Sequence, residues 1–351
     1  MSKQITNKPL SADKREKGAM IKGVAALAFA AGALLALGST SAEALTLRLA
    51  TDSGAPGSPT AASMEQWAEL IEEGSNGEIT VHIFYQNELG SQQEVFDLHV
   101  AGDVDLMINW PITSYDRRIG VIYTPYMVFT WEEALEAYRT GGWINSMLDG
   151  IYNDVGLKFF GAWPEGFNGV ATRGKYALTP EDAGDLKVRV PPMFPQAETL
   201  EAMGYQTASI DWSEVFTSIE TGVVDGDAAN VVYWDYEYFR DTLDYYVRTK
   251  QAFVTGMISM NLMSWESLTD EQQQLVLGAA VQVMEDHFIN GREIDEHYAR
   301  LADESGMTYI EPDEEVIRAL AATVREKVWP QMEQEVGAEI MDVVRANAAP
   351  L

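Results

Sequence analysis

Leu178-Thr-Pro-Glu-Asp-Ala-Gly-Asp-Leu-Lys-Val-Arg189-Val-Pro191 reads as a turn and a short polar connector that runs into a strand. Alternation along that strand puts Lys187 and Arg189 on one face and Val188 and Val190 on the other. A guanidinium held on a rigid strand can take a carboxylate through two parallel hydrogen bonds. Standing alone, Arg189 reads first as a strand arginine satisfied by surface carboxylates, and only its surroundings favour a ligand. About thirty residues on, Gly222-Val-Val-Asp-Gly226 is a tight turn that closes a helix and opens another strand.

The N-terminus reads as an export signal, residues 1–44. Lys14, Arg15, Lys17 and Lys22 form its positive region, Gly23 to Gly38 its apolar core, and Ala42-Glu43-Ala44 its small-x-small cleavage site. The apolar run is 16 residues, shorter than the roughly 18 a membrane-spanning helix needs. The chain has no cysteine, hence no lipid-anchored cysteine and no disulfide. These features point to a Gram-negative periplasm. Without residues 1–44 the chain keeps 307 residues, 18 Lys/Arg and 51 Asp/Glu, for a net charge of −33. That charge disfavours nucleic acid and anionic membrane surfaces as partners. It also repels anions at long range, so any anion site must be local and well furnished.

Leu45 to Ala50 alternates as a half-buried strand. Ser58-Pro59 starts a helix whose Met64, Trp67, Ala68 and Ile71 share a face. Ile79 to Ile83 is a second strand, Gln92 to Ala101 a helix, and Val104 to Ile108 a third strand. Strand and helix alternate with short links, which predicts a mainly parallel sheet covered on both faces. Ligands of such sheets sit beyond the carboxyl ends of the strands, where Asp52 and Asn109-Trp110 fall. The pattern restarts at Leu157 to Ala162, followed by a predicted loop, Trp163-Pro-Glu-Gly-Phe-Asn168. Further on, Gln196 to Met203 and Ser213 to Glu220 read as helices around an extended Gln206 to Ile210. The C-terminal third is helical, with one long helix capped by Thr269-Asp270 and another from Asp313 to Trp329.

Six motifs in order give a resemblance to the DctP family, the solute-binding proteins of TRAP transporters. They are Phe84-Tyr-Gln-Asn-Glu-Leu-Gly90, Gly102-Asp-Val-Asp105, Thr124-Pro-Tyr-Met-Val-Phe129, Thr179 to Pro191, Trp212-Ser-Glu-Val215 and Glu220 to Gly226. The resemblance implies an α/β, two-lobed periplasmic binding protein fold with interlobe crossovers and a ligand cleft. The expected lobes are residues 45–166 with 255–294 and residues 167–254 with 295–351. It also implies delivery of a small organic anion or zwitterion to the small and large TRAP membrane subunits, driven by an ion gradient. A periplasmic sensor serving a membrane receptor or kinase would share the fold.

By the same resemblance Arg189 binds the ligand carboxylate and Trp212 supplies an aromatic wall. Two departures stand out. Asn168 occupies the loop where many relatives carry a second arginine, and Ala229 stands where they carry a ligand-binding asparagine, with Asn230 one residue later. Tyr233 and Trp234 follow, and either face the cleft or pack. With one firm cation and Asp52, Glu165, Trp110 and Trp163 as neighbours, a ligand with one anionic group fits better than a C4-dicarboxylate. A zwitterion fits too, since aromatic faces and carboxylates both favour a cation.

Nothing reads as an enzyme. The four histidines (His82, His99, His287, His297) lack metal-ligand spacing, and no Gly-x-Ser-x-Gly elbow, nucleotide loop or nucleophilic cysteine exists. No cofactor or metal is called for. The acid pairs Asp103/Asp105 and Asp225/Asp227 fall in turns and are expected to be solvated.

Overall fold

The computed structural model describes residues 44–351 except Asn87; the expected export signal, Ala44 apart, lies outside the described residues. Strand β1 (Leu45–Ala50) leads into α1 (Pro59–Gly74). Ser58 caps α1 by accepting the Ala61 N–H, and Pro59 fits the first turn, where its missing N–H is not needed. Met64, Trp67, Ala68 and Ile71 are the buried face, as the spacing predicts. After β2 (Ile79–Phe84), Ser91 and Glu94 form a reciprocal capping box on α2 (Gln92–Ala101), which Gly102 ends in a left-handed conformation. Then come β3 (Leu106–Asn109), a 3₁₀ turn (Arg117–Tyr123), α3 (Trp131–Tyr138), α4 (Trp143–Asp154) and β4 (Leu157–Phe167).

The chain next builds β5 (Val170–Thr172), α5 (Pro180–Ala183), β6 (Lys187–Val190), α6 (Gln196–Ala202), β7 (Gln206–Ser209), α7 (Trp212–Glu220), β8 (Gly226–Ala228), α8 (Val232–Phe239) and β9 (Tyr245–Val247). It returns through β10 (Phe253–Asn261) and α9 (Leu262–Ser267) to the long α10 (Asp270–Ser305). β11 (Thr308–Ile310), α11 (Glu314–Val336) and α12 (Ala338–Asn347) complete it. Two sheets result, in the orders β2-β1-β3-β10-β4 and β11-β9-β5-β8-β6-β7.

The first sheet departs from the expected parallel arrangement. β1 runs parallel to β2 and β3, but β10 enters between β3 and β4 antiparallel to both. It arrives from the second sheet and so crosses in the opposite direction. β4 also runs through the predicted loop to Phe167, because β10 pairs with it along its length.

Two chain crossings join the sheets, β4 to β5 and β9 to β10. They are laced together: the Asn168 N–H donates to Ala252 O, Lys250 N–H to Asn168 O, and Ala252 N–H to the Asn168 side-chain oxygen at 2.8 Å. Gly169 is required here, since a Cβ would come within 2.5 Å of the Tyr246 ring and the Val247 carbonyl. α10 is a third link, packing on α1 and β4 of the first sheet and on α8 and β11 of the second. Helix α11 adds Leu320, Val324 and Val328 to a core that holds Met107 and Ile119 from one side and Val188 and Leu200 from the other. α12 packs on α11, α4 and the 3₁₀ turn.

Candidate ligand-binding site

The cleft forms where strands of both sheets end. β1 leads to Ser53, β3 to Trp110, β6 to Pro191 and β8 to Ala229 and Asn230, all of which line one cavity. This is the position expected beyond the carboxyl ends of strands.

Arg189 projects from β6 and is 3% exposed. Its Nε donates to the Ile210 carbonyl (2.8 Å) and one terminal nitrogen reaches Asp227 Oδ1 at 3.4 Å. The guanidinium lies 5.7 Å from the Trp212 ring centre, a cation–π distance. Two donor positions are thus taken, and the remaining guanidinium N–H groups have no hydrogen-bond partner among the described residues. Asp227 was expected to be a solvated turn residue. It is instead fully buried on β8, because parallel pairing sets it opposite Arg189. Asp105 is buried too, since Arg48 folds over it with Nε at 3.0 Å.

Glu165 faces Arg189's side of the cleft from the first sheet. In the β10–β4 pairing Thr255 opposes Pro164 and Val254 opposes Gly166, so Glu165 is the extra residue of a bulge. A bulge turns its extra side chain out of the pleat. Here that aims the carboxylate at the cavity, where each oxygen accepts one indole N–H at 2.9 Å, from Trp110 and from Trp234. Trp234 belongs to α8 of the second sheet, so Glu165 ties the two sides together. The side chain lines the cleft, and burial pushes its pKa up to about 8 despite the two indole donors. Trp110 and Trp212 meet Trp234 edge to face at 5.8 and 5.7 Å, which makes a three-ring wall.

Six of the eight residues singled out from the sequence therefore meet: Arg189, Trp212, Asn168, Asn230, Trp234 and Glu165. Asn168 lines the cavity, but its oxygen accepts the Ala252 N–H and its amide reaches the Ala229 carbonyl at 3.4 Å, so it holds the crossing first. Asn230 gives its amide to Asp227 Oδ2. Ala229 sits at φ 77°, a left-handed conformation that asparagine adopts more readily than alanine. Two residues are not brought to the wall. Asp52 is 5% exposed behind Ser53, Gln92 and Trp110; burial raises its pKa to about 7, only partly offset by nearby backbone N–H groups and the Gln92 amide. Tyr233 packs edge to face on Tyr298 at 4.7 Å. Trp163 is likewise core, stacked on His287 at 4.1 Å. Sequence reading missed Gln92, Tyr123, Met193, Gln196 and Phe253 as wall residues, and none carries a local signal.

Among curated proteins, the Ectoine-binding periplasmic protein TeaA of Halomonas elongata is 27% identical over 288 residues, 78% of this chain and 82% of that protein. The Ectoine/5-hydroxyectoine-binding periplasmic protein UehA of Ruegeria pomeroyi is 25% identical over 91% of this chain and 95% of its own length. The solved structure of the periplasmic ectoine-binding protein from the TeaABC TRAP transporter of Halomonas elongata superimposes with a TM-score of 0.79. It is 22% identical, covering 86% of this chain and 98% of that one, and so bears on the fold. Residues 50–335 match DctP, the bacterial extracellular solute-binding proteins of family 7. With that match over most of its length, the chain belongs to the DctP family of TRAP-transporter solute-binding proteins, which are transport proteins and not enzymes.

Proposed function

We propose that this chain is the periplasmic receptor subunit of a TRAP transporter, exported with removal of residues 1–44. It captures a small organic solute with one anionic group, a carboxylate, sulfonate or zwitterion, between two lobes. It then delivers the solute to the small and large membrane subunits, which use an ion gradient. The lobes are residues 45–166 with 255–294 and residues 167–254 with 295–351; the laced crossings at 167–170 and 248–253 are the hinge. One observation carries the reading: Arg189 of the second sheet and Glu165 of the first line the same cleft, an anion anchor and an acid in a wall of indoles. The ectoine-binding relatives support the zwitterionic form. A thermal-shift screen of small acids, sulfonates and betaines tests it, because a solute that binds only the folded state raises the melting temperature. A screen in which only dicarboxylates raise it refutes the one-anion reading.

Solute affinity follows pH with a sign set by the solute. Glu165, with its pKa near 8, is largely protonated in the empty cleft at neutral pH. A cationic group beside it favours the carboxylate and displaces a proton, so zwitterion affinity rises with pH and levels off above about 8. Affinity for a simple anion falls over the same range. Titration calorimetry from pH 6 to about 9 in buffers of different ionisation enthalpy reads both the trend and the proton count.

Binding also closes the hinge. Small-angle scattering with saturating solute is expected to show a smaller radius of gyration than the free protein. The cross-cleft contacts Glu165–Trp234 and Tyr238–Gln86 mark the closed form. An unchanged radius, with both contacts intact in the free protein, argues against a closing cleft.

A further inference from the structure

Behind Arg189 lie two acids that the anchor alone does not require. Asp227 on β8 and Asp235 on α8 are both fully buried, and their carboxyls lie within hydrogen-bonding reach of each other. Their surroundings are unequal. Asp227 receives the Ala228 N–H at 3.0 Å, the Asn230 amide at 2.5 Å and Arg189 at 3.4 Å. Neither oxygen of Asp235 has a donor within normal distance, and the nearby Asn230 amide makes its short hydrogen bond to Asp227 instead. A buried carboxylate without a donor is costly, and two adjacent carboxylates facing one guanidinium leave a charge uncompensated.

A single proton resolves both problems. Held by Asp235 and donated to Asp227, it gives Asp235 its missing hydrogen bond and leaves one negative charge against Arg189. Among the described residues around α8, the second Asn230 N–H makes no hydrogen bond of normal length to Asp235, and the other polar groups are engaged elsewhere. Tyr246 of β9 gives its hydroxyl to the Asn230 carbonyl, Asp295 of α10 is paired with Arg248 of the second crossing, and Tyr298 of α10 packs against the rings of Tyr233 and Tyr236. Glu165 reaches α8 only through the Trp234 indole. Burial, and then the neighbouring Asp227 charge, push Asp235 well above the usual carboxylate range, in the same direction as the geometry.

We propose that Asp227 and Asp235 share one proton behind Arg189, cancel the charge of its guanidinium, and so tune the cleft to solutes without net charge. The inference rests on Arg189 as the anion anchor and narrows the solute class to zwitterions. In the empty cleft Arg189, Asp227 and the protonated Asp235 sum to zero. A zwitterion adds no net charge, whereas a monoanion adds one unit and a dianion two, each in a site removed from water. Asp235 touches no solute; it is a positioning residue acting through Asp227.

The test compares chemical unfolding of the wild type, Asp235→Asn and Asp227→Asn between about pH 5 and 8, where unfolded aspartates are ionised. A group kept protonated in the folded state makes stability fall as pH rises, and the slope counts the protons. Glu165 and Asp52 contribute the same slope to all three proteins. Each single variant keeps one carboxylate against Arg189, needs no shared proton, and is expected to show a slope smaller than wild type by about one proton. An Asp235→Asn slope equal to wild type overturns the proton on Asp235; an Asp227→Asn slope equal to wild type overturns its sharing. No solute enters these measurements, so their outcome is independent of whether Arg189 anchors an anion. The Asp227→Asn/Asp235→Asn double variant leaves Arg189 uncompensated and is expected to bind succinate roughly tenfold or more tighter than wild type. A folded double variant with no gain overturns the charge-cancelling role; if it fails to fold, the single variants still decide the proton.

Discussion

Arg189→Ala is expected to weaken solute binding by roughly 30- to several-thousand-fold while the protein stays folded. Truncating one partner of a buried, charge-assisted pair costs ~2–5 kcal/mol, which converts to that range. Arg189 lines the cleft with guanidinium N–H groups beyond those bound to Ile210 and Asp227. The alternative cations are poorly placed: Arg248 is paired with Asp295 and Glu311, and Lys250 with Glu311. The fold tolerates the loss because Asp227 keeps the Ala228 and Asn230 donors and can take up a proton once its countercharge is gone. Arg189→Lys restores only part of the affinity, since an ammonium cannot form the two-pronged contact. Calorimetry with a solute found by thermal shift measures the loss, and wild-type affinity in Arg189→Ala would remove the residue from the site.

Much of this arrangement is visible in the sequence because local rules and tertiary demands agree. Ser58-Pro59, Ser91 with Glu94 and Thr269 with Gln272 start helices where capping chemistry says they must. Lys187-Val-Arg-Val190 is a strand with Arg189 on the cleft side, as alternation predicts. Reading fails where long-range pairing overrides local pattern. Trp163-Pro-Glu-Gly looks like a turn, yet β10, about ninety residues later, pulls it into the sheet and leaves only Glu165 bulged. The acids were the other blind spot. Asp227 and Asp235 look like any of the 54 acidic residues of this chain, and their burial follows from the pairing of β8 with β6 and the docking of α8. Tyr233 and Trp234 adjoin in sequence but face different ways on α8, one to Tyr298 and one to Glu165.

Glu165→Gln is expected to lower zwitterion affinity roughly 10- to 100-fold and to remove the rise of affinity with pH. Both effects come from the two-indole clamp. A carboxylate accepts from Trp110 and Trp234 at once, whereas an amide has one accepting atom and turns its NH₂ toward the second indole, donor against donor. The side chain also loses the charge that faces a solute cation; a hydrogen bond to a charged group in such a site is worth about 1.5–3 kcal/mol. With no carboxyl left to titrate near pH 8, proton release on binding falls by the share Glu165 supplies. The variant keeps Arg189 and its surroundings, so a simple monocarboxylate that binds through the anchor alone is little affected, and the ratio of the two affinities is the diagnostic quantity. If Glu165→Gln weakens both solutes equally, Glu165 acts only by holding the cleft shut through Trp234. If it weakens neither, the acid is a bystander and the cation of the solute lies elsewhere.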